Sequence, residues 1–321
     1  MTAGVAWGDG GPPPLLWGFD DIGVPGPHGH GRGGFADHPK AAQLIEEFGF
    51  NLWVTWYPDD ASSRGLEANR AYVRHIDDFC ASRGIRWLVN PLAPLWLNAP
   101  ATSIDETGFD WFNRPDGRRF FRFPDALLAE LGRCRALVGI VYDEAEHHQN
   151  NANAVAGVDR PSIYAPTGPL EDAAEGHTAA AAQLARDHAR FGLRLYTEHV
   201  FPVMYHDFAR AGFTPATKVL KEAWTPVYLA CAAGAALEYG TPFWVSPDLW
   251  GVTGYPGHSP DEYRSALLLA YHMGADCVYT ESLALEEGEV EGLARGRLDM
   301  LPMAARRRLG GGVHRPVGAR P

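Results

Sequence analysis

Short apolar runs alternate with stretches of helical period from Leu15 onward. Runs rich in Val, Ile, Leu and Trp suit strands buried on both sides. They fall at Leu15–Ile22, Asn51–Tyr57, Arg86–Pro91, Leu137–Asp143, Arg194–His199, Thr217–Lys221, Phe243–Ser246 and Cys277–Thr280. Between them apolar residues recur at three- and four-residue spacing, which predicts amphipathic helices. His38–Phe48 carries Leu44, Ile45 and Phe48 on one face, and Leu66–Arg83 groups Val73, Ile76, Phe79 and Cys80. Further helices are expected at Asp125–Cys134, Leu170–Phe191, Val203–Ala211, Pro226–Tyr239 and Pro260–Met273. Glycines such as Gly84 and Gly240 close these segments, and Pro124, Pro169, Pro226 and Pro260 stand near their starts, the usual helix punctuation.

Eight strands, each followed by a helix or helix-like segment, predict an α/β fold: a single-domain (β/α)8 (TIM) barrel over residues 15–309. Right-handed crossovers would then place every strand's C-terminal end on one rim. The eighth helix is the weak element, because only Gly296–Leu309 is available for it and Pro302 interrupts that stretch. An open doubly wound sheet is the alternative. Residues 1–14 are rich in Gly and Pro and read as a flexible leader; residues 310–321 read as a flexible basic tail. Long connections after the third and fourth strands, Leu95 to Pro124 and Glu146 to Pro169, would both lie on the rim, where long loops serve function.

The strand ends carry the candidate chemistry. Leu137-Val-Gly-Ile-Val-Tyr-Asp-Glu144 is an apolar run that stops in two carboxylates. The same grammar recurs at Asp20-Asp21, Thr197-Glu198-His199, Lys221-Glu222, Pro247-Asp248 and Thr280-Glu281. In a barrel these acids converge. Cleavage of a glycosidic bond needs two carboxyl groups, one to protonate the leaving oxygen and one to attack or to activate water. Glu144 is the first candidate for the general acid, since its apolar strand and the adjacent Asp143 both raise a carboxyl pKa. Its partner is Glu222, Glu281 or Glu198, with Asp248 also open. Asp20, Asp21, Asp143, Glu198 and Asp248 are candidates for binding hydroxyls or tuning charge. Trp56, Trp96, Trp224 and Trp250 sit at or beyond strand ends and offer flat faces to a sugar ring.

Composition narrows the classes. A net charge of −11 disfavours a nucleic-acid partner. No apolar run is long enough to span a bilayer and no basic-then-apolar leader is present, so the expectation is a cytoplasmic protein without membrane attachment. Cys80, Cys134, Cys231 and Cys277 form no Cys-x-x-Cys pair and read as free, mostly buried thiols. Gly29-His-Gly-Arg-Gly-Gly34 matches a dinucleotide fingerprint only formally, because Val24–His28 separates it from the strand. Glu146, His147 and His148 make no His-Glu-x-x-His motif. The sequence implies no organic cofactor and no metal; the expected partner is a carbohydrate substrate.

With these strand-end acids in place, the chain resembles the (β/α)8 glycoside hydrolases at superfamily level, over about Leu15 to Leu283. The resemblance implies an acid/base Glu after the fourth strand, which Glu144 matches. The largest clan of those enzymes carries Asn before that Glu and a second Glu after strand seven. Here Asp143 precedes Glu144 and strand seven ends at Asp248. Two rival readings stay open: a metal-dependent sugar isomerase or epimerase on the same barrel, and a barrel that binds carbohydrate without turning it over.

Overall fold

Strand β1 (Leu16–Asp20) pairs in parallel with both β2 (Leu52–Trp56) and β8 (Cys277–Thr280), and that double pairing closes the sheet. Between them run β3 (Arg86–Asn90), β4 (Leu137–Asp143), β5 (Leu195–His199), β6 (Thr214–Val219) and β7 (Trp244–Pro247), in chain order around a closed barrel. The structure is a computed structural model that describes residues 15–21, 35–37, 41–57, 65–91, 123–144, 168–199, 202–220, 224–248 and 260–281. Each of the first seven strands is followed by a helix. These are α1 (Ala41–Phe48), α2 (Leu66–Ser82), α3 (Asp125–Leu131), α4 (Leu170–Ala189), α5 (Tyr205–Arg210), α6 (Thr225–Tyr239) and α7 (Pro260–His272). The chain is therefore a (β/α)8 barrel, not an open sheet. The candidate eighth helix, the leader, the tail and the loops after β3 and β4 lie outside the described residues.

Two apolar clusters follow from the two-residue period of the strands. Leu16, Leu52, Val54, Leu88, Val141, Tyr196, Ala216, Trp244, Cys277 and Tyr279 point inward and fill the lumen. Their neighbours Phe19, Trp53, Val89, Tyr142 and Val245 point outward and pack under the helices with Val73, Ile76, Leu128, Leu184 and Leu229. The lumen is thus a packed plug, as barrels of this size require. Packing between β4 and β5 is close enough to exclude a side chain at Gly139, whose Cβ would stand 2.3 Å from the Arg194 carbonyl oxygen.

The sixth strand differs from its expected span, running from Thr214 to Val219 in place of Thr217–Lys221. Pro215 reads against a strand because it lacks an N–H, yet near a strand's beginning that loss is tolerated. The shift matters for function. It sets Lys218 on the inward face, two residues beyond Ala216, and ends the strand before Glu222.

A buried acid at the opposite end of the barrel shows what a structural carboxylate looks like here. Asp77 on α2 accepts from Trp87 Nε1 at 3.0 Å, Ala136 N at 2.8 Å and Arg135 N at 2.9 Å. Both of its oxygens are occupied by donors that tie α2 to β3 and the approach to β4. Among the described residues no helix is long and apolar enough to cross a membrane, and all four cysteines are free, with Cys80 and Cys277 buried.

Candidate active site

One more step along each inward face carries the strands out of the apolar plug. Val141 leads to Asp143, Tyr196 to Glu198, Ala216 to Lys218 and Tyr279 to Glu281; the same step gives Asp20 on β1, Trp56 on β2 and Asn90 on β3. The period that fills the lumen with hydrocarbon thus crowns it with a polar layer. Asp143, Glu198, Lys218 and Glu281 are all buried. Charged side chains are almost never fully buried unless paired, and here the pairing is concentrated on one atom.

Lys218 Nζ lies 2.7 Å from Glu281 Oε2, 2.9 Å from Glu144 Oε1, 3.2 Å from Asp143 Oδ1 and 3.4 Å from Glu198 Oε2. Only the contact to Glu144 has hydrogen-bond geometry. The facing oxygens of Asp143, Glu198 and Glu281 lack an aligned donor, so they meet the ammonium as ion pairs. Tyr279 donates its hydroxyl to the other oxygen of Glu198, and the backbone of Asp248 pairs in parallel with that of Glu281 just beyond β7 and β8. Four carboxylates against one ammonium leave a formal excess of three negative charges if all ionise.

Magnitudes show what holds the cluster together. One carboxylate oxygen each from Asp143, Glu198 and Glu281 lie within 4.8 Å of one another. Three such repulsions cost at least about 10 kcal/mol in total at an effective dielectric constant of about 20, and their attractions to Lys218 sum to roughly 16 kcal/mol. The ammonium offsets the mutual repulsion, and without it the acids would have to protonate or take up another cation. Burial pulls the Lys218 pKa down, but the four carboxylates more than reverse this and leave it well above its ordinary value. Burial pushes Asp143 well above the usual carboxylate range, with Lys218 opposing and Glu198 and Glu144 adding to the rise. Glu281 is raised by burial and then by Asp248, again against Lys218. The amine is therefore an ammonium at rest, not a nucleophile.

Glu144 stands apart from the others. Its side chain is 13% exposed, against 0% for Lys218, so it faces the mouth of the barrel. It is the one non-glycine residue with positive φ among the described residues, at 46°. A left-handed conformation there costs about 1–2 kcal/mol and clusters at functional sites. Two contacts hold the strained turn: Glu144 N donates to the Glu198 carbonyl oxygen at 3.0 Å, and its carboxylate accepts from Lys218.

The remaining sequence candidates divide. Asp20 is buried and accepts from Trp56 Nε1 at 2.6 Å. Trp56 is itself buried, and its ring packs with the larger apolar cluster, not with the lumen plug. Asp21 points outward, where its carboxylate accepts from Trp56 N at 2.8 Å and Thr55 Oγ1 at 3.1 Å. It knits β1 to β2 outside the acidic cluster. Trp224 caps the start of α6 and is 79% exposed. Glu222, Trp96 and Trp250 lie outside the described residues. Sequence reasoning missed Lys218: a lone lysine inside a strand of uncertain register gives no sign of which face it occupies. The usable signal was Ala216-Thr-Lys218, which puts the amine on the face of a small lumen residue.

No family model and no curated protein matches the chain. Among solved structures it is similar to a D-psicose 3-epimerase determined in the presence of D-fructose, at 12% identity and a TM-score of 0.48, over 92% of this chain and 100% of that one. It is also similar to the 3-keto-D-glucoside 4-epimerase of E. coli, at 10% identity and 0.46, over 90% and 99%. A chitinase from Chromobacterium violaceum aligns at 11% identity and 0.45, over 88% and 99%. Likeness at this level concerns the barrel and assigns no chemistry to its rim.

Proposed function

We propose that the chain is a carbohydrate-active enzyme, a glycoside hydrolase that cleaves O-glycosidic bonds by paired-carboxylate catalysis. The observation that carries this reading is the placement of Glu144, strained and partly exposed at the edge of the buried cluster, beside carboxylates that are more deeply buried. A proton donor to a leaving oxygen must reach the substrate, and Glu144 is the acid of the cluster that faces the mouth. The opposing carboxylate on this reading is Glu281, whose side chain is 4% exposed, so attack requires the anomeric carbon to enter the cluster beside Lys218. The Glu281 oxygen and that of Glu144 both lie within 2.9 Å of Lys218 Nζ, so they are less than twice that distance apart. Retaining enzymes hold their carboxyl groups about 5–5.5 Å apart and inverting ones about 6.5–9.5 Å. That upper bound favours the retaining arrangement over the inverting one, with Glu281 as nucleophile and Glu144 as acid/base. Burial and Asp248 raise the Glu281 pKa well above the ordinary carboxylate value, so the ionised form that attack requires depends on the ion pair with Lys218, which opposes that rise. Glu222, just beyond β6 in sequence, is the alternative nucleophile; Asp143, Glu198 and Asp248 tune the charge around the pair.

One observation favours a second reading, a metal-dependent sugar isomerase or epimerase. The grouping of Asp143, Glu198 and Glu281 oxygens within 4.8 Å offers the oxygen ligands that a divalent ion takes. Against it stands the ammonium already in their midst. The test is a glycan panel with product sugars detected by mass and anomer by NMR, in parallel with and without chelator. Chelator-resistant cleavage with retained configuration supports the hydrolase. Conversion without cleavage that stops in chelator and returns with a divalent ion would sink it. Retention of one glycan with no turnover of any would point to a non-catalytic binding barrel.

A further inference from the structure

We infer that Asp143, Glu198 and Glu281 form a cation cage whose resident cation is the Lys218 ammonium, tethered to β6 in the place a divalent metal ion would occupy. The cage comes from β4, β5 and the residue directly after β8, and Lys218 enters it from β6. Its facing oxygens, Asp143 Oδ1, Glu198 Oε2 and Glu281 Oε2, are buried and have no aligned hydrogen-bond donor. This contrasts with Asp77, whose oxygens are taken up by directed donors. Carboxylates arranged for a structural lysine would be expected to meet its N–H groups along hydrogen-bond directions. These three converge on a point instead, which is how oxygens address a spherical cation.

Geometry excludes joint occupancy. Lys218 Nζ is 3.2, 3.4 and 2.7 Å from the three oxygens, whereas a divalent ion binds oxygens at about 2.0–2.6 Å. An ion at such distances from all three would press against the ammonium, with both steric and charge repulsion. Lysine and metal are therefore alternatives for one position. The side chain is fully buried, so solvent does not draw it out of the cage. The cage is independent of the substrate assigned above and would stand if the hydrolytic reading failed.

The experiment compares the full chain with Lys218→Met, whose unbranched side chain keeps most of the lysine stem without the charge. Each protein is titrated with manganese(II) chloride, and bound ion is counted by electron paramagnetic resonance. The parent should take up no cage manganese, and Lys218→Met should bind one equivalent. Adding Asp143→Asn to that variant should lower the affinity at least about tenfold, since losing a ligand costs no less than losing an outer partner. A parent that binds one equivalent as tightly as Lys218→Met, sensitive to Asp143→Asn, would overturn the inference. So would a folded Lys218→Met that binds none. Should that variant not fold, thermal melting of the parent with and without manganese decides. No shift supports the tethered cation; a shift that Asp143→Asn abolishes refutes it.

Discussion

Lys218 donates a 2.9 Å hydrogen bond to Glu144, and the two straddle the boundary between the dry lumen and the mouth of the barrel. The lysine has no exposed surface; the glutamate has a little. Buried charge thereby holds in place the one acid of the cluster that keeps some exposed surface.

Replacing Glu144 with Gln keeps an acceptor for Lys218 but removes the transferable proton. Turnover of unactivated glycosides should fall at least about 10²-fold, the lower range for a lost general acid. Circular dichroism should be unchanged. Near-normal turnover would remove Glu144 from the mechanism.

Trp56 presents a choice between two roles that one variant separates. As a buried residue bonded to Asp20, it should destabilise the fold when changed to Phe, by about 1–3 kcal/mol for a buried acceptor stripped of this donor. As a sugar platform it would instead raise KM and leave stability alone. Urea unfolding alongside kinetics distinguishes them, and the burial of the ring favours the first.

The barrel was legible in the chain because its strands are apolar on both faces and its helices are not. β4 and β8 run over the residues their hydrophobic runs define, and the other strand ends shift by a few positions at most. The acids at those ends were legible too, since a carboxylate after an apolar run has to leave the core. What the chain did not disclose was which acids share one centre. Glu198 and Glu281 look alike as strand-end acids until β6 places an ammonium between them. Lys218 itself is silent in one dimension, because its meaning depends on a register that Pro215 obscures. Trp56 fails differently: a tryptophan at a strand end has the same sequence signature whether it lines a cleft or packs in the core.

Asp21 makes stability depend on pH. Burial raises its pKa from 3.8 to about 7, while hydrogen bonds from Trp56 N and Thr55 act the other way. The folded state thus favours the protonated acid. Its stabilising contribution is complete below the unfolded value and is lost as pH climbs through about 7, a total of about 4 kcal/mol. Asp21→Asn removes that dependence. The parent should therefore lose roughly 2–3 kcal/mol relative to the variant between about pH 5 and pH 8, read by urea denaturation at both. A constant difference would refute the shift.

Gly139→Ala tests the closeness of β4 and β5. The added methyl would meet the Arg194 carbonyl oxygen at 2.3 Å and Tyr196 Cε2 at 2.8 Å, and backbone cannot rotate aside. Destabilisation of about 3 kcal/mol or more is expected, at the upper end of overpacking costs. A melting temperature within a degree or so of the parent's would show that the strands can part without loss.

Closure of the barrel sets an order in time. Asp143, Glu144, Glu198 and Lys218 are all synthesised before β8, and Glu281 follows that strand directly. The strand that brings Glu281 to the lysine is also the one that seals the sheet, through pairs such as Leu16 with Cys277. The full charge assembly therefore requires the ring to be shut: until β8 pairs with β1, Glu281 has no fixed place beside the lysine, and the last carboxylate joins the amine in the same step that closes the sheet.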